Sequence, residues 1–412
     1  MVYYEIKKVF SKTGSKVALL VLALLMALSC YFAISSVYYV NGEGETERGY
    51  AAVRKLRAVV KEWSGELTEE KIARAIEENS RIKASEEYQA YQQGDIKKGN
   101  IAYSWRQGFH NIREMLSWAA FRETNYYRID SLTPEAAWDF YPSRIRYLKE
   151  WLESEENEGR YSEAEKEYLI KKYEELKTPL QNDYVEGWEK LLEYGNTVTM
   201  FTVMVLAFLV TGIFCNEFSL KADAIFYSSY HGRKKAVAAK VKAAFLIVTG
   251  IYWSVCLAMT AALLFFLGAD GADCFLQAFF YGYKSFYNIT NIQAYLLIMM
   301  YGYIGNLFTL FLVMLVSVKS RSAVFGVMVP FILIFIPNFI ANISAPRLVE
   351  KITLLLPDRL LDMFMVLKTF IFYEINGKVL TAVQILPVLY TALFVVVLAA
   401  LYSSARKAEV KG

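Results

Sequence analysis

Histidine is nearly missing from this chain: there are two, His110 and His231, too few for a histidine-rich metal or acid–base centre. Cysteine is also sparse. Cys30, Cys215, Cys256 and Cys274 stand singly, without CxxC spacing, and all but Cys274 fall in apolar runs, where a thiol packs as a small hydrophobe. Neither a disulfide framework nor a zinc site follows. No GxxxxGK[ST] loop is present to cradle a nucleotide's phosphates. An HExxH motif is absent too, and no paired carboxylates or Ser/Lys dyad sit in an apolar run, which argues against an intramembrane enzyme. The formal net charge of +4 is small for 412 residues, so bulk electrostatics imply no nucleic-acid partner.

What is abundant is apolar side chain, 55% of the sequence, and its charge is segregated from it. Six apolar runs cover residues 17–40, 197–215, 243–268, 292–318, 322–344 and 384–404, each long enough to cross about 30 Å of hydrocarbon as a helix. None contains Asp, Glu, Lys, Arg or His. Intramembrane ionisable groups mark proton relays and ion-coupled carriers, so their absence from the runs argues against transport driven through the spans themselves. Pro330 and Pro337 would kink the fifth run and Pro387 the sixth, while Gly302 and Gly305 permit close approach of a neighbour to the fourth.

Ahead of the first run, residues 1–16 alternate Val2, Tyr3, Ile6, Val9 and Phe10 with Lys7, Lys8, Lys12 and Lys16, the pattern of a short amphipathic helix on a membrane surface. Run 17–40 is longer than a signal-peptide core and lacks a small-x-small cleavage site at its end; it reads as an uncleaved span with Tyr38 and Tyr39 at the interface. Residues 41–196 carry charges every three or four positions and read as a helical extracytoplasmic domain. Thr68, Thr133 before Pro134, and Ser162 with Glu165 are expected helix starts. Leu116, Trp118, Phe121, Trp138, Phe140, Tyr147, Leu148, Trp151 and Leu152 are expected to supply buried stripes, and the Glu-rich stretch 150–158 a solvated helix end.

The basic flanks set the orientation. Residues 1–16, the loop 216–242, Lys319 to Arg321, and the tail 406–412 all fall on one side if the N-terminus is cytosolic. The fold class expected is therefore an all-α membrane protein of six transmembrane helices, in the plasma membrane with both termini cytosolic and a helical extracytoplasmic domain inserted after the first span. Residues 345–383, whose pieces 352–356 and 360–373 are too broken to span, read as helices dipping into the outer leaflet.

The loop 216–242 concentrates the remaining signal. Glu217 and Phe218 follow the second run, then come Phe226, Tyr227 and Tyr230, the sequence His231-Gly232-Arg233-Lys234-Lys235, and Lys240 before the third run. This resembles the coupling loop of type-2 ABC-transporter permeases, in which an acid after the span and an R-x-x-x-x-x-x-K element before the next recur, matched by Glu217, Arg233 and Lys240. Where the family usually has Pro or Ser-Arg before the arginine, this chain has His231-Gly232. The surface helix before the first span, the six spans and the re-entrant segment between the fifth and sixth are also similar to that family, most closely to members with a large extracytoplasmic domain.

The resemblance implies a permease subunit of an exporter for an amphipathic or hydrophobic cargo, such as a peptide or lipid-like antimicrobial. It implies a second permease copy or a paralogue as partner, and a separate ABC ATPase subunit that binds ATP and Mg, this chain carrying no cofactor and catalysing nothing itself. Glu217, Phe218, Phe226, Tyr227, Tyr230, Arg233, Lys234, Lys235 and Lys240 are then the residues expected to couple to that ATPase. The aromatics would anchor in a cleft and the cations would meet an acidic rim, or else lipid phosphates. The alternative reading, from a different class, is a non-transporting receptor or assembly anchor whose extracytoplasmic domain binds a ligand.

Overall fold

A computed structural model of the chain describes residues 1–119, 121, 125–222, 225, 228, 232–278, 282–341 and 346–407. The elements, in order, are α1 (Val2–Phe10), α2 (Thr13–Ser36), β1 (Tyr38–Val40), β2 (Thr46–Arg48), α3 (Tyr50–Lys61), β3 (Gly65–Glu66), α4 (Glu69–Lys83), α5 (Glu86–Gln92), α6 (Ile96–Arg106), α7 (His110–Ser117), α8 (Phe140–Leu152), α9 (Glu163–Glu174) and β4 (Gln181–Asn182). They continue with α10 (Glu186–Ser219), α11 (Val237–Leu267), α12 (Asn291–Ser320), α13 (Ala323–Ala341), α14 (Arg347–Thr353), α15 (Asp358–Leu361), α16 (Met363–Val366), β5 (Phe372–Ile375), β6 (Lys378–Thr381) and α17 (Ala382–Arg406).

Among the described residues, five helices are long and apolar enough to cross a membrane: α2, α10, α11 with the π turn that precedes it, α12 and α17. The fifth run forms α13, an apolar helix carrying Pro330 and Pro337, which stays below that length when taken to Pro337. Burial sorts these helices. Of the apolar windows of α10 and α12, 61% and 56% are buried, against 17–22% for α2, α11 and α17. The first two are therefore the central posts, and the other three present apolar faces outward, as helices solvated by hydrocarbon do.

The helices overrun the apolar runs that mark them. α2 begins at Thr13 and stops at Ser36, so Tyr38 belongs to a β-strand and not to the end of the span. α10 begins at Glu186, inside the inserted domain, and carries Glu186, Glu189, Lys190 and Glu193 before its apolar part starts. Two of the long helices are started by side-chain capping. Thr290 with Gln293 and Thr381 with Gln384 form capping boxes at the starts of α12 and α17, as Ser162 with Glu165 does for α9. Thr68 caps α4, its hydroxyl accepting from the Lys71 amide, whereas Thr133 makes no cap bond and only a 3₁₀ helix, Pro134–Asp139, follows it.

The inserted domain is helical, with two short antiparallel pairs, β1–β2 and β3–β4, that the sequence pattern did not disclose. Leu67, Ile72, Ile76, Phe109, Ile112, Met115 and Leu116 centre one of its cores, and Leu148, Leu152, Leu169 and Tyr173 another. Trp138 departs from the expected buried stripe and is exposed, while Glu150, Glu153, Glu155, Glu156 and Glu158 are solvated as expected. Ion pairs fasten this domain to the connections between the long helices, Arg57 to Asp270 at 2.6 Å and, on α14, Arg160 to Glu350 at 2.9 Å and Glu165 to Lys351 at 2.8 Å.

Between α13 and α17 the chain folds back on the bundle. Leu354, Leu360, Met363, Phe364, Val366 and Leu367 join the core formed by α10, α12 and α17. Gly305, in the middle of α12, makes room for it: a β-carbon there would lie 2.9 Å from Leu360 Cβ. The same fold-back carries Asp358, 2% exposed, inward with Arg359 beside it at 3.3 Å, so the bundle interior holds charge although the apolar runs contain none. The helical reading of 360–373 holds only in part, because Phe372 and Tyr373 open a hairpin whose turn is Asn376–Gly377, both at positive φ. Asn-Gly in that conformation is the type I′ turn that matches the twist of two strands.

Candidate functional site

α10 and α11 run antiparallel, and their ends frame the loop the sequence singles out. Glu217 lies in the last turn of α10 and Lys240 in the first turns of α11, both pointing into the seam between the helices. Lys240 Nζ is 3.0 Å from Glu217 Oε1, and the two side chains are 1% and 8% exposed. A cation at a helix N-terminus opposes the macrodipole. Lys240 meets that cost by also donating to the Ile213 carbonyl, near the C-terminal end of α10 where the dipole favours positive charge, and it lies 5.6 Å from the centre of the Phe214 ring.

The amphipathic helix α1 completes the cluster. Its apolar residues Ile6, Val9 and Phe10 pack on the bundle core, which turns Glu5 and Lys8, one helical turn apart, toward the seam. Lys8 donates to Glu217 Oε1 at 2.6 Å and Glu5 Oε2 lies 3.3 Å from Lys240. Two acids and two bases therefore alternate across three helices. Their arrangement is a clamp: it fixes the ends of α10 and α11 to each other and both to α1. Removing one member of a buried pair leaves the other uncompensated, at a cost of about 3–5 kcal/mol, so the four groups act as one unit.

The expected coupling residues thus separate into three groups. Glu217 and Lys240 face inward and bind each other, offering no surface to a partner. Phe218 is half-buried with the Arg321 guanidinium 5.1 Å above its ring, which ties the loop between α12 and α13 to the same corner, and Lys234 and Lys235 are exposed on the π turn Gly232–Ala236. Phe226, Tyr227, Tyr230 and the side chain of Arg233 lie outside the described residues. Glu5 and Lys8 were not among the residues expected to matter. Their signal was an acid and a base one turn apart on a helix otherwise read as a basic surface anchor.

No group of three or more His, Cys, Asp or Glu side chains able to hold a metal occurs among the described residues. Burial pushes the Cys274 thiol up to about 12, with Asp183 and Asp273 adding to the effect, so this cysteine, outside the long apolar helices, is a packed apolar group and not a nucleophile. All four cysteines are free thiols. No family model, curated protein or solved structure matches this chain.

Proposed function

We propose that this chain is the membrane-spanning permease subunit of an ATP-driven exporter, paired with a second copy or a paralogue and coupled to a separate ATPase through residues 216–242. The observation that carries the reading is the clamp of Glu217, Lys240, Lys8 and Glu5. A loop whose two ends are locked to adjacent helices and to a surface helix transmits a push to all three as a body, which a slack connection would not do. Exposed Lys234 and Lys235 support a docking role for the loop.

In this reading α13 is a sixth span, both termini and the clamp are cytosolic at the plasma membrane, and the inserted domain is extracytoplasmic. The cargo is amphipathic or hydrophobic, a peptide or lipid-like antimicrobial, consistent with the apolar outward faces of α2, α11 and α17. The test is purification from native membranes combined with a transport assay. Association of a P-loop ATPase, and loss of export in the variant Tyr227→Ala with Tyr230→Ala, are expected. An absent ATPase together with unaltered export in that variant would refute the coupling role.

A second reading, a non-transporting receptor or assembly anchor, is favoured by one feature: the inserted domain closes over the start of α10 around a cavity of about 320 Å³. Ligand-dependent signalling without any associated ATPase would select it.

A further inference from the structure

The outward faces of α2 and α11 are not flush. A groove of about 450 Å³ runs between them, with Ile6 and Phe10 of α1 bordering it, Leu19 and Met26 on the α2 side, and Leu246 and Gly250 on the α11 side. Its lining is apolar except for Ser254. Gly250 keeps it open, since a β-carbon there would meet no atom within 4 Å. Leu246 also borders a second groove, of about 350 Å³, lined by Lys242, Phe311 and Phe394.

Each of the three helices around the first groove carries a lysine beside it. Lys7 precedes Phe10 by three residues, Lys16 precedes Leu19 by three and Lys242 precedes Leu246 by four, spacings that put each lysine on the face of its helix that bears the groove residue. All three are exposed, and their ammonium groups make no ion pair or hydrogen bond among the described residues. α2 and α11 contain no acid, and Glu5 of α1 lies 3.3 Å from Lys240 in the clamp. Orientation in a membrane would by itself put cations at the ends of spans. It would not set one on each wall of the same groove.

Length discriminates between occupants. From Leu246 to Ala258 the groove follows α11 for about 18 Å, little more than half of a hydrocarbon core about 30 Å thick. A spanning helix of a second copy would lie along the whole of α11, whereas an acyl chain from one leaflet reaches about this depth. We infer that the two grooves seat the acyl chains of one anionic phospholipid, which straddles Leu246 with its phosphate held by Lys7, Lys16 and Lys242. The inference requires that α2 and α11 lie in a membrane and not that the chain exports anything.

The test is native mass spectrometry of the full chain in a neutral detergent, titrated with phosphatidylglycerol and, separately, with phosphatidylcholine of the same acyl chains. Saturable retention of one phosphatidylglycerol per chain, about tenfold or more tighter than phosphatidylcholine, is expected. The triple variant Lys7→Gln, Lys16→Gln and Lys242→Gln should abolish that preference. Gly250→Leu fills the groove without adding or removing charge; it should weaken phosphatidylglycerol several-fold while its melting temperature in lipid-free detergent is no lower, leucine being the better helix former. Equal retention of the two lipids, retention that does not saturate, a preference surviving the triple variant, or unweakened retention in Gly250→Leu would each overturn the proposal. Conversion of a dimer to a monomer by Gly250→Leu, with lipid retention unchanged, would overturn it in favour of a second copy as the occupant.

Discussion

Lys240 and Glu217, at the two ends of one loop, are 3.0 Å apart and almost wholly buried, so the chain closes the base of residues 216–242 with its own charges. Lys8 and Glu5 extend the pair to α1. Lys234 and Lys235 are exposed beside that base, and the buried pair determines how firmly they are joined to the long helices.

Lys240→Met is expected to destabilise the protein by about 3–5 kcal/mol by leaving Glu217 buried without its main partner. Lys240→Met combined with Glu217→Leu should recover much of the loss, because the charge and its counter-charge leave together. Thermal unfolding of the purified variants in one detergent measures this, and additive losses in the double variant would show the two side chains to be independent.

Lys8→Ala should cost less, on the order of 1 kcal/mol, since Lys8 is 38% exposed and water can replace part of its contact with Glu217. Its effect should shrink as salt rises, while that of Lys240→Met should not. Melting temperatures at low and high ionic strength separate the two.

Gly305→Val would place methyl groups where Leu360 and Leu361 now pack, and overpacking of this kind costs about 1–3 kcal/mol. The fold-back of α15 and α16 should loosen, and limited proteolysis within 346–381 should accelerate without a comparable change in the inserted domain.

In a variant keeping Cys274 as its only cysteine, alkylation should be slow at pH 8. A thiol pushed up to about 12 is ionised to only about one part in ten thousand there, against roughly a quarter for a free thiol. The rate should still be climbing at pH 10, where a free thiol has levelled off. A rate at pH 8 equal to that of a small free thiol would contradict the packing described for this residue.

The five long helices were legible because uninterrupted apolar stretches of that length have few other stable forms. Their ends were not, since Glu186 to Glu193 continue α10 on the strength of domain packing and not of apolar pattern. Glu217 and Lys240 stood out by their places beside two runs, yet that they meet depends on how α10 and α11 pair, which neither run states. Asp358 and Arg359 escaped a search for charge inside the runs because they lie outside every run and enter the bundle only when the chain folds back. The hairpin after them was readable from Asn376–Gly377 between strand-forming residues, and was missed because the preceding apolar residues suggested helix.

The central claim is that residues 216–242 seat on an ATPase. Its most direct test replaces Tyr227 with a photo-crosslinking phenylalanine analogue, irradiates native membranes and identifies the adduct by mass spectrometry. The account predicts a crosslink to a subunit bearing a P-loop, lost when Lys240→Met loosens the base of the loop. Adducts confined to lipid or to a protein without a nucleotide site would contradict it.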